Sequence, residues 1–263
     1  MPTVPSSHPH EHRDVAESFG ADAERYNRAR PSYPRLLIDR IVGGRTGVSV
    51  LDVGCGTGIA ARQLQAAGCQ VLGIDPDERM AGVARETGVE TEVSRFESWD
   101  PAGRTFDAVI AAQAWHWVDP VAGAAAASRV LRPGGRLTVF WNAFRATPSV
   151  NDAFKAVYQR VLPDSPIHQH GLPGPDGYEV LCTKAADAMR AVGGFAEPDR
   201  WRIDWERRYS RAEWLDQQST FGGHNLLPPA QLDELLAGIG AAIDAMGGAF
   251  TMPYTTVAVS ASR

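Results

Sequence analysis

The sequence has 263 residues, of which 44% are hydrophobic, and its formal net charge at pH 7 is −5. This length and apolar content can fill the core of one large domain, or of one domain with a substantial insertion. Because the chain has no overall positive charge, neither a nucleic acid nor an anionic membrane is the expected partner, and we expect small molecules instead.

The cysteines and the N-terminus indicate a cytoplasmic protein. Cys55, Cys69 and Cys182 are odd in number and lack CxxC spacing, which argues against a disulfide framework. No apolar run is long enough for a membrane span. Residues 1–15 lack the apolar centre of a signal peptide, and we expect them to form a disordered tail.

Two Pro-rich stretches contain alternating histidines, which raises the question of a metal site. His8, His10 and His12 lie in the N-terminal tail, where such residues are usually solvated. His168 and His170 lie in a later loop, and the sequence offers no further ligands that would complete a site around them. We therefore expect no metal.

The first half of the chain predicts alternating strands and helices. Two helices separated by Pro31 and Pro34 come first. The apolar, β-branched runs that predict strands are 48–53, 69–75, 89–93, 106–113 and 136–142. Helical periodicity covers 59–68, 76–88 and 120–131, with Asp119 as the N-cap of the last helix. This alternation predicts an α/β fold with a doubly wound parallel sheet, which binds ligands beyond the carboxyl ends of its strands.

A glycine-rich stretch, VLDVGCGTGIA at 50–60, joins the first strand to its helix. Its spacing is GxGxG, whereas a dinucleotide site wants GxGxxG and a P-loop ends in Gly-Lys-Ser/Thr. Glycines here let a ligand approach the backbone closely, and the following helix N-terminus offers N–H groups. A turn that only connects strand to helix is the alternative. The three glycines are Gly54, Gly56 and Gly58.

Two aspartates help to discriminate between ligands of this loop. Asp52, at the end of the first strand, would repel a pyrophosphate but suits an ammonium group. S-adenosylmethionine carries an ammonium, a carboxylate and a sulfonium, and it has no phosphate. Asp75 ends the second strand, where a carboxylate can accept both ribose hydroxyls. The sequence therefore favours S-adenosylmethionine over a dinucleotide.

Four stretches resemble the motifs of class I S-adenosylmethionine-dependent methyltransferases: VLDVGCGTG, GID, FDAVIAAQAWHW and ASRVLRPGGRLTVFWN. The resemblance runs from about Tyr26 to the C-terminus. Within that superfamily, YNRARPSYP, AQAWHWVD and the FWN ending are most similar to the trans-aconitate methyltransferase-like group. The resemblance implies S-adenosylmethionine as the cofactor and a seven-stranded, mostly parallel, Rossmann-like sheet.

The same resemblance implies roles for particular cofactor-binding residues. Asp52 would hold the methionyl ammonium through water, Asp75 would bind the ribose, and the three glycines would line the methionyl and ribose side. Arg30 would pair with the carboxylate, or it is a plain surface arginine. Phe96 would contact the adenine edge, or it belongs to the core. The remaining implied contacts are Tyr26 in the segment that folds over the cofactor, Pro76 and Met80 on one adenine face, and Glu97 at the adenine edge.

Residues after the fourth strand are candidates for the reacting end of the site. His116 is either a general base, because imidazole can take a proton near neutral pH, or a packed part of the pocket wall. Gln113 either bonds the methionyl part or only packs. Tryptophans at the ends of the fourth and fifth strands form an aromatic wall for the acceptor or close the core, namely Trp115, Trp117 and Trp141.

The part of the chain after Asn142 predicts helices over 151–162, 178–195, 211–222 and 228–248, and strands over 200–210 and 252–262. The two late strands fit the antiparallel pair that completes the sheet of this superfamily. We expect a single domain over 16–263, with 143–200 and 210–250 contributing a lid and substrate-binding subregion. His224 is a candidate pocket residue there, or an exposed loop histidine.

These observations favour methyl transfer to a small molecule by in-line displacement, with a carboxylate or phenolic oxygen as the acceptor. A nucleic acid or protein methyltransferase is the alternative, but the fourth strand lacks the Asn/Asp-Pro-Pro-aromatic motif used for base amines. A module that binds the cofactor without turnover is a further alternative. The sequence does not indicate the oligomeric state.

Overall fold

The fold is described from a computed structural model, which covers residues 18–165, 167, 172, 174–222, 224 and 227–263. The predicted tail at 1–15, with its histidines, lies outside the described residues. So do His168 and His170. Among the described residues no helix has both the length and the apolar content needed to cross a bilayer, and no group of three potential ligands is placed to hold a metal ion.

A seven-stranded sheet organises the chain, in the order β3-β2-β1-β4-β5-β7-β6. Neighbours from β3 to β5 pair in parallel, whereas β7 pairs antiparallel with both β5 and β6. The predicted doubly wound sheet, completed by an antiparallel pair, is therefore confirmed. The strands are β1 Ser49–Val53, β2 Gln70–Asp75, β3 Glu90–Val93, β4 Phe106–Ala112, β5 Leu131–Phe144, β6 Asp199–Ser210 and β7 Ala249–Ser262.

Helices follow the periodicity of the sequence, and local signals fix several of their ends. Asp119 accepts hydrogen bonds from the Val121 and Ala122 backbone N–H groups, which makes it the N-cap that the sequence predicts. The α-helices are α1 Ala23–Ala29, α2 Arg35–Val42, α3 Ile59–Ala66, α4 Glu78–Glu86, α5 Pro120–Val130, α6 Pro148–Val161, α7 Glu179–Val192, α8 Arg211–Gln218 and α9 Pro229–Ala245.

The largest difference from the predicted strands is at the start of β5. The turn-forming RPGG sequence after α5 suggests that β5 starts at Arg136, but the strand already begins at Leu131. Phe106 pairs with Leu131, and the register then shifts before Ala108 pairs with Arg136. Three extra residues of β5 therefore stand between these two pairs, and this irregularity takes the turn residues into the strand.

Two apolar clusters cover the faces of the sheet, and a third lies under the late helices. The α5 and α7 helices pack on one face with Leu51 and Val53 of β1, and α2 and α3 cover the other with Val50. The third cluster joins α6, α8 and α9 to the ends of β6 and β7. The expected lid range 143–200 therefore includes a helix, α7, that belongs to the sheet-covering layer because Leu181 and Met189 are part of the first cluster.

Candidate active site

A cavity of about 280 Å³ opens at the carboxyl ends of β1, β2 and β4, where the strand order reverses. This is the place where open α/β sheets bind ligands. Twelve of the residues that the sequence proposes for the site line it: Tyr26, Arg30, Gly54, Gly56, Asp75, Pro76, Met80, Phe96, Glu97, Gln113, His116 and Trp117. Asp52, Gly58, Trp115, Trp141 and His224 are not among the lining residues.

The glycine loop forms the floor of the cavity. Gly54 and Gly56 adopt the left-handed backbone region, with φ of 65° and 55°. The backbone N–H groups of Gly54 and Cys55 donate to the Ile74 carbonyl at 2.8 and 3.0 Å, which ties the loop to β2. A Cβ on Gly54 would lie 2.5 Å from the Ala114 Cβ. The two loops after β1 and β4 therefore touch because residue 54 has no side chain.

Gly54→Ala is expected to lower the free energy of unfolding by about 1 to 2 kcal/mol, because alanine resists this φ and its methyl group overlaps Ala114. Chemical denaturation measures the loss. Gly44→Ala is the matched control, since Gly44 has φ of 70° but a Cβ there would meet nothing within 4 Å. An equal loss in both variants would contradict a role for the Gly54–Ala114 contact.

Gly58 serves packing and does not contact the cavity. It is the N-cap of α3, with φ of 80°, and a Cβ there would lie 2.9 Å from Val89. Its predicted place along the cofactor stays a prediction that the cavity lining does not support. The reason is geometric: the loop has already turned into the helix, so this glycine faces Val89, just before β3, and Ala84 of α4.

Asp75 stands at the end of β2 with its carboxylate at the cavity wall. Its oxygens accept hydrogen bonds from the backbone N–H groups of Gly56 at 2.8 Å and Asp77 at 2.9 Å. A carboxylate has about four acceptor sites, so two remain for hydroxyl donors of a ligand. Burial raises the pKa of Asp75 to about 6, although both backbone hydrogen bonds lower it. Above that pH the residue is a charged acceptor.

Asp52 lies beneath the glycine loop rather than at the cavity surface. It is 0% exposed, and neither of its carboxylate oxygens has a hydrogen-bond partner within the described part of the chain. Burial, and secondly the negative charge of Asp75, raise the pKa of Asp52 to about 8. Asp52 is therefore a buried, unsatisfied acid under the loop, and its carboxylate does not line the cavity.

The far end of the cavity is lined by carboxylates and apolar side chains. Phe96 is 3% exposed and packs 6.5 Å from Trp115, so it is both a wall and a core residue. Glu97 accepts a hydrogen bond from the Asp119 backbone N–H at 3.0 Å. Met80 is buried and Pro76 exposed beside them. This acidic end disfavours a phosphate and suits ligand groups that donate hydrogen bonds.

The N-terminal segment forms the opposite wall. Arg30 donates to the Thr220 hydroxyl at 2.9 Å and to the Thr220 carbonyl, and so joins α1 to the end of α8. Its guanidinium carbon lies 4.8 Å from the Tyr26 ring centroid and 5.1 Å from that of Phe221. No ion pair joins Arg30 to a carboxylate of the described residues. Its remaining N–H donors are therefore available to an anionic group in the cavity.

The loop after β4 places Gln113 and His116 in the wall. Gln113 has a φ of 59°, unusual for a residue other than glycine, and its amide lies 3.4 Å from the Asn142 carbonyl. His116 accepts a hydrogen bond at Nδ1 from the Trp141 indole N–H, at 3.1 Å. Burial lowers the pKa of His116 to about 3. The ring is therefore neutral throughout the physiological range.

Two of the three proposed aromatic-wall tryptophans belong to the core. Trp115 is 2% exposed and Trp141 is 0% exposed, and both are members of the apolar cluster under α5 and α7. Trp117 lines the cavity, 4.6 Å from the His116 ring and 6.4 Å from Phe19. For Trp115 and Trp141 the core alternative is the one found, because their side chains point to the covered face of the sheet.

His224 is neither in the cavity wall nor an exposed loop residue. It is 7% exposed, and its ring nitrogens bond the Tyr158 hydroxyl at 3.0 Å and the Gln218 carbonyl at 2.8 Å. The exposed-loop alternative is therefore wrong, since the late helices enclose His224 in their own polar contacts, and the pocket role stays a prediction that the cavity lining does not support.

Sequence reasoning also missed part of the wall. Phe19 lies in a 3₁₀ turn, Phe19–Asp22, before α1, where no motif signals a site. In the sequence, Asp77 and Asp119 are recognisable as helix N-caps but not as residues of a binding site. The missed residues that line the cavity are Phe19, Val53, Ile74, Asp77, Ser94, Arg95, Ala112, Ala114, Val118 and Asp119.

The central part of this site is similar to known proteins. Residues 51–139, from β1 to the middle of β5, match a sequence family described as a methyltransferase domain. That stretch holds the glycine loop, Asp75, Glu97 and His116. This central third of the chain is therefore similar to a methyltransferase domain. The matched stretch holds β1 to β4 and the first part of β5, and the rest of β5 with β6 and β7 completes the seven-stranded sheet outside it.

Curated relatives match about half of the chain. An uncharacterized methyltransferase of Mycobacterium tuberculosis is 41% identical over 132 residues, which is 49% of this chain and 54% of that protein. A ubiquinone biosynthesis O-methyltransferase of Aromatoleum aromaticum is 36% identical over 133 residues, 48% of this chain and 53% of that protein. The chain thus spans about half the length of the curated relatives it matches.

Solved structures share the fold at lower identity. A proposed type II methyltransferase from Anaeromyxobacter dehalogenans superposes with a TM-score of 0.62 at 24% identity, covering 88% of this chain and 97% of that one. Phosphoethanolamine N-methyltransferase 2 of Haemonchus contortus, in complex with phosphomonomethylethanolamine and S-adenosylhomocysteine, gives a TM-score of 0.53 at 18% identity, covering 100% of this chain and 61% of that one. Both support the fold.

Proposed function

We propose that the protein is an enzyme that transfers the methyl group of S-adenosylmethionine to a small molecule, at a carboxylate or phenolic oxygen. The observation that supports this most is the continuous cavity that runs from the Asp75 carboxylate, after β2, to His116 and Trp117, after β4. A cofactor bound across the glycine loop would place its sulfonium between these two ends.

The residues present fit S-adenosylmethionine. Asp75 retains acceptor sites for two ribose hydroxyls, and the glycine loop leaves no side chain between backbone and ligand. Arg30 offers N–H groups to the methionyl carboxylate. The buried Asp52, protonated near pH 7 because its pKa is about 8, would lose its proton and become a negative charge under the loop when the ammonium binds, through water. The acidic end of the cavity, with Asp75 and Glu97, disfavours the phosphates of a dinucleotide.

Methyl transfer requires little chemistry from the chain itself. S-adenosylmethionine supplies a methyl group that its sulfonium has already activated. The work of the protein is then to hold the acceptor in line with the sulfur–methyl bond and to exclude water. Trp117 and Phe19 provide apolar surface at this end, and His116 and Arg30 provide hydrogen-bond donors.

Further features support a small acceptor in a reducing compartment. One of the relatives is named as an O-methyltransferase of ubiquinone biosynthesis. The YNRARPSYP and AQAWHWVD motifs support the trans-aconitate methyltransferase-like group. The chain has a negative net charge, which disfavours a nucleic acid acceptor. All three cysteines are buried free thiols, as expected for the cytoplasm.

Titration calorimetry and an acceptor panel test this proposal. We expect S-adenosylmethionine and S-adenosylhomocysteine to bind and NAD not to bind. Small carboxylic acids and phenols, incubated with isotopically labelled cofactor, are expected to include an acceptor that becomes labelled. Binding of NAD in place of the sulfonium compound would contradict the cofactor assignment, and labelling confined to nucleic acid or protein would contradict the acceptor class.

A further inference from the structure

The contact between Trp141 and His116 determines which ring nitrogen of the histidine carries the proton. An indole N–H can only donate a hydrogen bond. Because Trp141 Nε1 lies 3.1 Å from His116 Nδ1, that nitrogen must accept and cannot hold a proton itself. A neutral imidazole carries one proton, which must then be on Nε2.

Nε2 is the polar atom of His116 that is left for the cavity. His116 lines the cavity, whereas Trp141 is fully buried behind it. Nε2 has no hydrogen-bond partner within the described part of the chain, and it is not among the buried polar atoms closed off from solvent. A protonated Nε2 at this position can donate a hydrogen bond to an acceptor, but its lone pair is not available to take a proton.

Among the described residues that line the cavity, each carboxylate already accepts at least one hydrogen bond, and Asp75 and Glu97 are expected at the ribose and adenine of the cofactor rather than at its methyl group. Asp77 is bonded to the Arg79 backbone and guanidinium, and Asp119 caps α5. Asp75 and Glu97 accept backbone N–H groups. The cations of the wall, Arg30 and Arg95, and the phenol of Tyr26 complete its titratable groups.

We propose that Trp141 is a positioning residue that holds His116 in the Nε2–H form, so that His116 binds the acceptor oxygen as a hydrogen-bond donor and does not remove its proton. This inference rests on the proposed methyl transfer. It follows that the acceptor enters with its oxygen already anionic, since no group at the reacting end removes a proton. The oxygen attacks the methyl carbon with its own electron pair, the sulfur–methyl bond breaks, and the sulfur leaves with that bond's electrons as a neutral thioether.

The low pKa of His116 agrees with this arrangement. Burial lowers it to about 3, whereas a base works best with a pKa near the operating pH. Between about pH 6 and 9 the ring is therefore neutral and its donor role is constant. The rate with a carboxylate acceptor should not vary through titration of His116 in that range.

Nitrogen NMR of the full chain with ¹⁵N-labelled histidine tests the tautomer without any need for turnover. The signals of His116 are assigned by their loss in His116→Gln. We expect Nε2 to be the protonated nitrogen and Nδ1 the unprotonated one, unchanged from about pH 6 to 8. A proton on Nδ1, or a ring that gains a second proton within that range, would overturn the proposal.

Trp141→Phe tests the cause of the tautomer, because it keeps the ring and removes the N–H donor. We expect the His116 signals to shift toward a mixture of both neutral forms, with a lower kcat. Trp214→Phe is the matched control: Trp214 is equally buried, but its Nε1 has no partner in the described residues, so the His116 signals should stay unchanged. An unaltered tautomer in Trp141→Phe would show that the indole does not set it; if that variant does not fold, the wild-type spectrum still decides.

Turnover of His116→Gln against His116→Ala separates a donor from a base. The glutamine amide has a donor and an acceptor like the neutral ring, but it cannot take a proton. We expect His116→Gln to keep kcat/KM about tenfold or more above His116→Ala, the effect of one hydrogen bond to an anionic oxygen. Equal loss in both variants, with cofactor binding intact, would overturn this inference while leaving the proposed methyl transfer in place. Failure of the wild type to bind S-adenosylmethionine would contradict the proposed function itself.

Discussion

Asp75→Ala is expected to weaken the binding of S-adenosylmethionine at least hundredfold. The carboxylate accepts backbone hydrogen bonds from Gly56 and Asp77 and retains sites for two ribose hydroxyls. A hydrogen bond to a charged group contributes about 1.5 to 3 kcal/mol, and a tenfold change in affinity corresponds to about 1.4 kcal/mol. Losing both ribose bonds therefore costs about 3 kcal/mol or more. Calorimetry well above the Asp75 pKa of about 6 measures this loss.

Two further variants show whether the loss comes from the ribose contacts. Asp75→Asn keeps the shape but has one acceptor oxygen, so it should recover only part of the affinity. Asp39→Ala removes an exposed aspartate that pairs with Arg35, far from the cavity, and should leave affinity unchanged. Full affinity in a folded Asp75→Ala protein would refute the ribose assignment.

The fold was largely predictable because its signals are local. The period of the apolar residues marks strands and helices, and caps such as Asp119 mark their ends. The start of β5 could not be predicted, because an irregular register next to Phe106 brings turn-forming residues into the strand. Nor could the place of α7, since an amphipathic helix does not reveal whether it covers a sheet or an adjoining pocket.

Within the site, the position of a strand end did not by itself decide which side chains line the cavity. Asp75 and His116 line the cavity because the carboxyl ends of parallel strands share one edge. Trp141 is in the core because its position along β5 points it to the covered face, which tryptophan content alone does not reveal. Phe19 was missed because the N-terminal segment reaches the site by a path that no periodicity encodes.

Asp52→Asn is expected to stabilise the cofactor-free protein by about 3 kcal/mol at pH 8. The carboxylate is fully buried without a partner in the described residues, and burial together with Asp75 raises its pKa to about 8 from an ordinary value of 3.8. Each unit by which the pKa is raised corresponds to about 1.36 kcal/mol of destabilisation by the charged carboxylate. The asparagine amide, which is buried without a partner in its turn, costs about 1 to 3 kcal/mol, and this reduces the gain in stability. Denaturant titrations of both proteins at several pH values measure the difference.

The sign of the pH dependence follows from proton counts. Between about pH 4 and 8 the folded protein keeps the Asp52 proton that the unfolded chain has lost, so stability falls as pH rises through this window. Asp52→Asn should remove that slope. Asp107→Asn is the contrasting control: burial raises the pKa of Asp107, but hydrogen bonds from the Ser49 backbone and Arg132 outweigh it and hold the pKa below the ordinary value. That variant should therefore lose stability at pH 7.

The same substitution tests how the loop recognises a positive charge. An ammonium group above Asp52 lowers its pKa, so binding of S-adenosylmethionine near pH 7 should release a proton from the wild-type protein. Calorimetry in buffers of different ionisation enthalpy measures that proton. In Asp52→Asn the release should disappear and the affinity should fall, although the fold is more stable. If Asp52→Asn binds S-adenosylmethionine as tightly as the wild type, Asp52 does not attract the ammonium group. Removal of an attracting charge would lower the affinity.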